Sequence, residues 1–181
     1  MKKTSEKLIK ACIKGNRKAQ RSLYDEYKDG MYALCLRYAK SREDAEDILQ
    51  DGFIKVFRDL HQYKPIASLG AWIRKVMVNT ALEHIRSSKR KITTDEYSGA
   101  VLNHPVEQGP AGDLEAKQLT LIIQTLSDDY RLVFNMFAIE GYSHAEIAEK
   151  LEISESNSKV RLNRARNMIQ ELLEKQFEIR Y

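Results

Sequence analysis

Lys159, Arg161, Arg164 and Arg166 crowd into one short stretch that begins with Ser156, Asn157 and Ser158. These groups suit binding, not bond making. Ammonium and guanidinium ions neutralise phosphates, while short hydroxyl and amide side chains can meet base edges. A second cationic run, Arg86-Ser87-Ser88-Lys89-Arg90-Lys91, exceeds what a helix dipole needs and favours phosphate contact. Tyr63 and Trp72 stand upstream of that run, and aromatic rings beside positive charge can stack on unpaired bases. Trp72 reads equally well as a core residue. Catalysis finds less support. Gly141-Tyr142-Ser143-His144-Ala145 has part of a nucleophile elbow but lacks its last glycine and any strand before it. His144 and Glu146 lack the cysteines of a zinc deaminase. Cys12 and Cys35 match no metal spacing and read as small buried hydrophobes in a reducing compartment. The chain is therefore expected not to be an enzyme, with neither metal nor cofactor.

The elements that must position the basic stretch are legible around it. Ser143 followed by Glu146 is a capping box, so a helix is predicted to start there. Ile147, Ala148 and Leu151 give it an apolar stripe, and Ile153 closes the turn. Ser154 is predicted to cap a second helix on which Leu162, Ala165 and Ile169 recur at three and four residues and which runs to about Phe177. Two helices joined by a tight turn, the second strongly basic, make a helix-turn-helix whose second helix reads DNA.

Helical periods fill the rest of the chain. Leu8, Ile9, Cys12 and Ile13 begin one stripe, which Gly15-Asn16 interrupts. Ala19, Leu23, Tyr24 and Tyr27 form another, then Met31, Leu34, Cys35 and Tyr38 a third after Gly30. Ser41 is predicted to cap the cleanest helix of all, with Ala45, Ile48, Leu49, Gly52, Phe53, Val56, Phe57 and Leu60 on one face. Its other face is charged except for Ile54. A loop follows over residues 61–70, then a helix from about Ala71 to Ser88. Ser127 is predicted to cap a later helix with Tyr130, Val133, Phe134 and Phe137 inward. No segment alternates with period two, so the fold class is all-α.

Composition agrees with this pattern: 31% of the 181 residues are charged, and there are only three Pro and eight Gly. Residues 92–112 lose all periodicity and read as a flexible linker. Two small helical domains are therefore expected, 1–91 and 113–181, the second a helix-turn-helix. The net charge of +4 is modest, so nucleic-acid binding must come from local patches. The N-terminus lacks a signal-peptide core and no apolar run would span a membrane, which predicts a cytoplasmic chain without membrane insertion.

Two stretches resemble the bacterial RNA polymerase sigma factors of the extracytoplasmic-function class. Residues 44–57, with the loop after them and Trp72 to Ala81, are similar to the family's second conserved region. The helix-turn-helix with its lead-in from Leu126 is similar to the fourth. The resemblance implies a protein that binds core RNA polymerase and directs promoter-specific initiation. It implies that Asp47, Gln50, Asp51 and Ile54 dock on the clamp helices of the largest catalytic subunits. It also implies that Tyr63, Trp72, Arg74, Lys75 and Asn79 open and hold the −10 element, and that Ser156, Asn157, Lys159, Val160, Asn163 and Arg164 read the −35 element. A membrane-anchored anti-sigma factor is a further implied partner, beside core polymerase and promoter DNA.

The chain departs from the family pattern where Ser158 replaces an apolar β-branched residue and Val160 replaces a small polar one. The loop is also less acidic than usual at Ile66-Ala67-Ser68. Helical spacing lets Ser156, Asn157, Val160 and Arg164 share a face flanked by Lys159 and Asn163. Val160 is expected to read a thymine methyl; alternatively it turns inward to supply packing that Ser158 cannot. Two rival readings stay open on sequence: a plain repressor or activator with the same reading helix, and a protein–protein adaptor.

Overall fold

The computed structural model describes residues 6–94 and 114–178, and every regular element among them is helical. The chain divides into two compact units, Met1–Pro110 and Ala111–Tyr181.

In the first unit α1 (Glu6–Ile13) packs on α2 (Arg17–Tyr38), which with α3 (Arg42–Asp59) and α4 (Leu69–Thr94) surrounds one core. Asn16 does more than interrupt the first stripe, since its side chain accepts from Ala19 N at 3.1 Å and so caps α2. Gly30 does not break that helix, which continues to Tyr38. Burial of Leu23 before it and of Met31, Leu34, Cys35 and Tyr38 after it outweighs one glycine's loss of about 1 kcal/mol. Burial also pushes the Cys35 thiol up to about 12, so it stays neutral and inert. Ile13, placed by its period on the inward stripe, is 46% exposed because α1 ends there.

The α3 period holds almost throughout. Ala45, Ile48, Leu49, Gly52, Phe53, Val56 and Leu60 are buried, and Phe57 is half-buried. Gly52 permits close approach to α4: a Cβ there would lie 2.2 Å from Met77 Sδ. Ser41 caps α3 by accepting from Asp44 N at 3.1 Å. Asp44 in turn meets His84 Nε2 of α4 at 3.2 Å, and Lys55 pairs with Glu83 across the same two helices.

The predicted loop holds a 3-10 turn, Leu60–Gln62, and α4 starts at Leu69, two residues before the expected start. Leu69 and Gly70 are buried, so the chain winds into helix as soon as it meets the core. At its other end α4 passes the expected domain limit and continues to Thr94. The rest of the expected linker lies outside the described residues, as do the side chains of Lys89, Arg90 and Lys91 in the basic run.

The second unit comprises α5 (Leu114–Thr125), α6 (Asp128–Phe134), a π turn at Asn135–Ile139, α7 (His144–Leu151) and α8 (Glu155–Glu178). Ile122, Leu126, Ala165 and Ile169 form its core, against which Tyr130, Phe134, Leu172 and Leu173 pack. Leu119 of α5 is 41% exposed, whereas Ile122, Ile123 and Leu126 after it are buried. Ser127 starts α6 but makes no side-chain cap bond, contrary to expectation. Asp128 instead pairs with Arg131, a residue 2% exposed, at 2.8 Å.

Candidate nucleic-acid interface

The helix-turn-helix is built by the caps its sequence carries. Ser143 Oγ accepts from Glu146 N, and the Glu146 carboxylate accepts from Ser143 N at 2.8 Å, closing the box. Helix α7 ends where Glu152 enters the left-handed region at φ 56°, and Ile153 N donates to Ala148 O at 3.0 Å. Ser154 Oγ then accepts from Asn157 N at 3.1 Å and starts α8.

The rotation of α8 about its axis decides which residues face outward. Leu162, Ala165 and Ile169 turn inward, and the stripe extends one turn back to Ser158, which is 0% exposed. Ser158 therefore cannot meet a base edge, and that expectation fails. Its hydroxyl is satisfied internally, 2.9 Å from His144 Nδ1, the first residue of α7. The His144 ring stacks on Phe137 at 4.4 Å between centroids. The signal for Ser158 was present in the spacing, four residues before Leu162, but its polarity pointed the other way.

Opposite this stripe, Ser156, Val160 and Asn163 occupy the middle of the exposed face, with Lys159 on one side and Arg164 on the other. Val160 is 46% exposed, so it does not replace Ser158 in the packing. Asn157 is only half-buried at the margin. The cations differ in their engagement. Arg161 turns back to Asp129 of α6 at 3.2 Å, and Arg164 Nη1 donates to the Tyr130 hydroxyl at 3.3 Å. Arg166 lies over the Phe137 ring at 5.8 Å. Part of the basic character thus fixes α8 to its own unit.

In the first unit Tyr63 and Trp72 meet ring against ring at 5.9 Å, both half-buried. The Tyr63 hydroxyl donates to Ala67 O at 2.7 Å and closes the loop between them. Lys64, Pro65, Ile66, Ala67 and Ser68 stand exposed on that loop, Ile66 at 90%. Trp72, Lys75 and Asn79 share one face of α4 by their spacing, whereas Arg74 projects from the opposite side. The structure does not bring Arg74 to that face. On α3, Asp47, Gln50, Asp51 and Ile54 are all exposed and fall three and four residues apart on one strip, with Ile54 57% exposed.

The two units each match a model from one family. The model for sigma-70 region 2 matches residues 23–91, and that for sigma-70 region 4 matches residues 116–169. The ECF RNA polymerase sigma factor SigM of Bacillus subtilis is 29% identical over 152 residues, covering 83% of this chain and 92% of that protein. The chain belongs to the extracytoplasmic-function class of the sigma-70 family. This sigma factor recognises promoters and directs transcription initiation. It is also 26% identical over 178 residues to the ECF RNA polymerase sigma-E factor of Haemophilus influenzae, covering 92% of this chain and 94% of that one. The fold is that of the sigma factor RpoE of Bartonella quintana, solved in complex with the anti-sigma factor NepR, with a TM-score of 0.59 and 22% identity. That match covers 85% of this chain and 96% of RpoE. Helix α1 precedes the part matched by region 2.

Proposed function

We propose that this sigma factor works through three surfaces. The strip Asp47, Gln50, Asp51 and Ile54 docks on the clamp helices of the largest subunit of core RNA polymerase. Tyr63, Trp72, Lys75 and Asn79 engage the opened −10 strand, with Arg74 holding backbone from the other side of α4. Helix α8 enters the major groove at the −35 element through Ser156, Asn157, Lys159, Val160, Asn163 and Arg164. The observation that carries this reading is the unit-by-unit division of chemistry. Aromatics beside an exposed loop suit single strand, whereas a helix with short polar side chains flanked by long cations suits duplex. The protein acts as a polymerase subunit, not as an enzyme, and works in the cytoplasm. No described helix is long and apolar enough to cross a membrane. The structural neighbour RpoE was solved with an anti-sigma factor, and we infer that this chain too is held by one; its anchoring in the membrane is what the resemblance to the class implies. Run-off transcription with core polymerase and a genomic promoter library tests the core of the proposal. Discrete start sites sharing −10 and −35 sequences are expected, and no initiation from any native promoter would remove it.

A further inference from the structure

The middle of the outward face of α8 is built from short side chains: Ser156, then Val160, then Asn163, one turn apart. The long side chains Lys159 and Arg164 stand to either side. A helix shaped this way can sink deep into a major groove, because its centre adds little bulk while its flanks reach the phosphate walls. Val160 lies at the deepest part of that profile and within the first two turns, where reading helices meet base edges. It is the one large apolar side chain there. It is 46% exposed, while the interior position two residues earlier is filled by Ser158, whose hydroxyl is held by His144. Packing therefore does not account for the valine. A branched hydrocarbon offers a base pair no hydrogen bond, and the only apolar group on the major-groove edge of a base pair is the thymine 5-methyl.

We propose that Val160 is a specificity-determining residue that reads one thymine methyl in the −35 duplex. The inference rests on the −35 role of α8 and names the base that one position of it selects. Ser156 and Asn163, one turn to either side, then meet the adjoining base pairs by hydrogen bonds, and Lys159 and Arg164 set depth and register without selecting sequence.

The test uses holoenzyme assembled from core polymerase and the full chain, bound to a promoter duplex. Each −35 thymine is replaced singly by deoxyuridine, which removes the methyl and keeps every hydrogen-bonding group. Wild type is expected to lose about fourfold in affinity at one position, the equivalent of ~0.8 kcal/mol for one buried carbon. Val160→Ser is expected to bind thymine and deoxyuridine equally at that position and Val160→Ala to keep only part of the difference, both with unchanged thermal midpoints. The proposal is overturned if wild type tolerates deoxyuridine everywhere, or if Val160→Ser keeps the discrimination. Loss of stability with discrimination retained would likewise return Val160 to a packing role. A scrambled −35 duplex separates the two levels. If scrambling abolishes binding but the methyl effect is absent, only the Val160 assignment falls. If scrambling changes nothing, the −35 role of α8 falls with it.

Discussion

At the scale of single residues, the Ser158–His144 pair shows how a polar side chain becomes part of a core. Ser158 is fully buried, and its hydroxyl has the His144 imidazole at 2.9 Å. A buried hydroxyl deprived of its partner costs about 1–3 kcal/mol, far more than the bond contributes when both partners are present. His144→Ala is therefore expected to destabilise the full chain by about that amount, since the Phe137 stacking contact goes as well. Ser158→Ala should cost less, because the half-buried His144 can turn to water. Urea denaturation of both variants measures the difference. Equal stability of His144→Ala and wild type would show that the pair contributes nothing.

Helices pose a different question, because one helix must serve two masters. Helix α3 buries Ala45, Ile48, Leu49, Gly52, Phe53 and Val56 on one side and leaves Asp47, Gln50, Asp51 and Ile54 on the other. The outer strip is spared by the core, so it is free to vary without unfolding the unit. Asp51→Arg is expected to change stability by no more than about 0.5 kcal/mol, as at ordinary surface sites, while weakening capture of core polymerase in a pull-down. Undiminished capture would place the docking surface elsewhere. Helix α2 supplies the complementary case. Gly30 is exposed, helical and without any atom within 4 Å of an added Cβ. Gly30→Ala is accordingly expected to raise stability by about 0.5–1 kcal/mol, read as an increased thermal midpoint.

The whole molecule divides its work between two units, Met1–Pro110 and Ala111–Tyr181. Its net charge is +4, and on α8 Arg161 and Arg164 are partly engaged by Asp129 and Tyr130. The modest net charge, with Arg161 already paired to a carboxylate, limits phosphate neutralisation by the isolated chain, and affinity for DNA scales steeply with the number of phosphates neutralised. The isolated protein is expected to bind duplex weakly, with a shallow dependence on salt, whereas holoenzyme binds selectively. Fluorescence anisotropy across a salt series measures both. Tight, sequence-specific binding by the isolated chain would instead describe a free-standing repressor or activator.

Local interactions made much of this architecture readable from the sequence. The caps at Ser41, Ser143 and Ser154 depend on residues three positions away, and the α3 stripe depends on steps of three and four. The basic, polar character of α8 and the strip on α3 were equally plain, because composition and helical period place them without any partner. The tertiary structure decided what depends on distant groups. Burial on both sides of Gly30 carries α2 through a residue that local propensity reads as a break. Arg161 belongs to Asp129, whose place in α6 lies more than thirty residues earlier. Above all, Ser158 faces inward and Val160 outward, against the polarity of each. A helix turns about its axis to bury the face with the most packing, and Leu162, Ala165 and Ile169 outweigh one hydroxyl. That hydroxyl is tolerated only because His144 reaches it from another helix, a contact no local rule reveals.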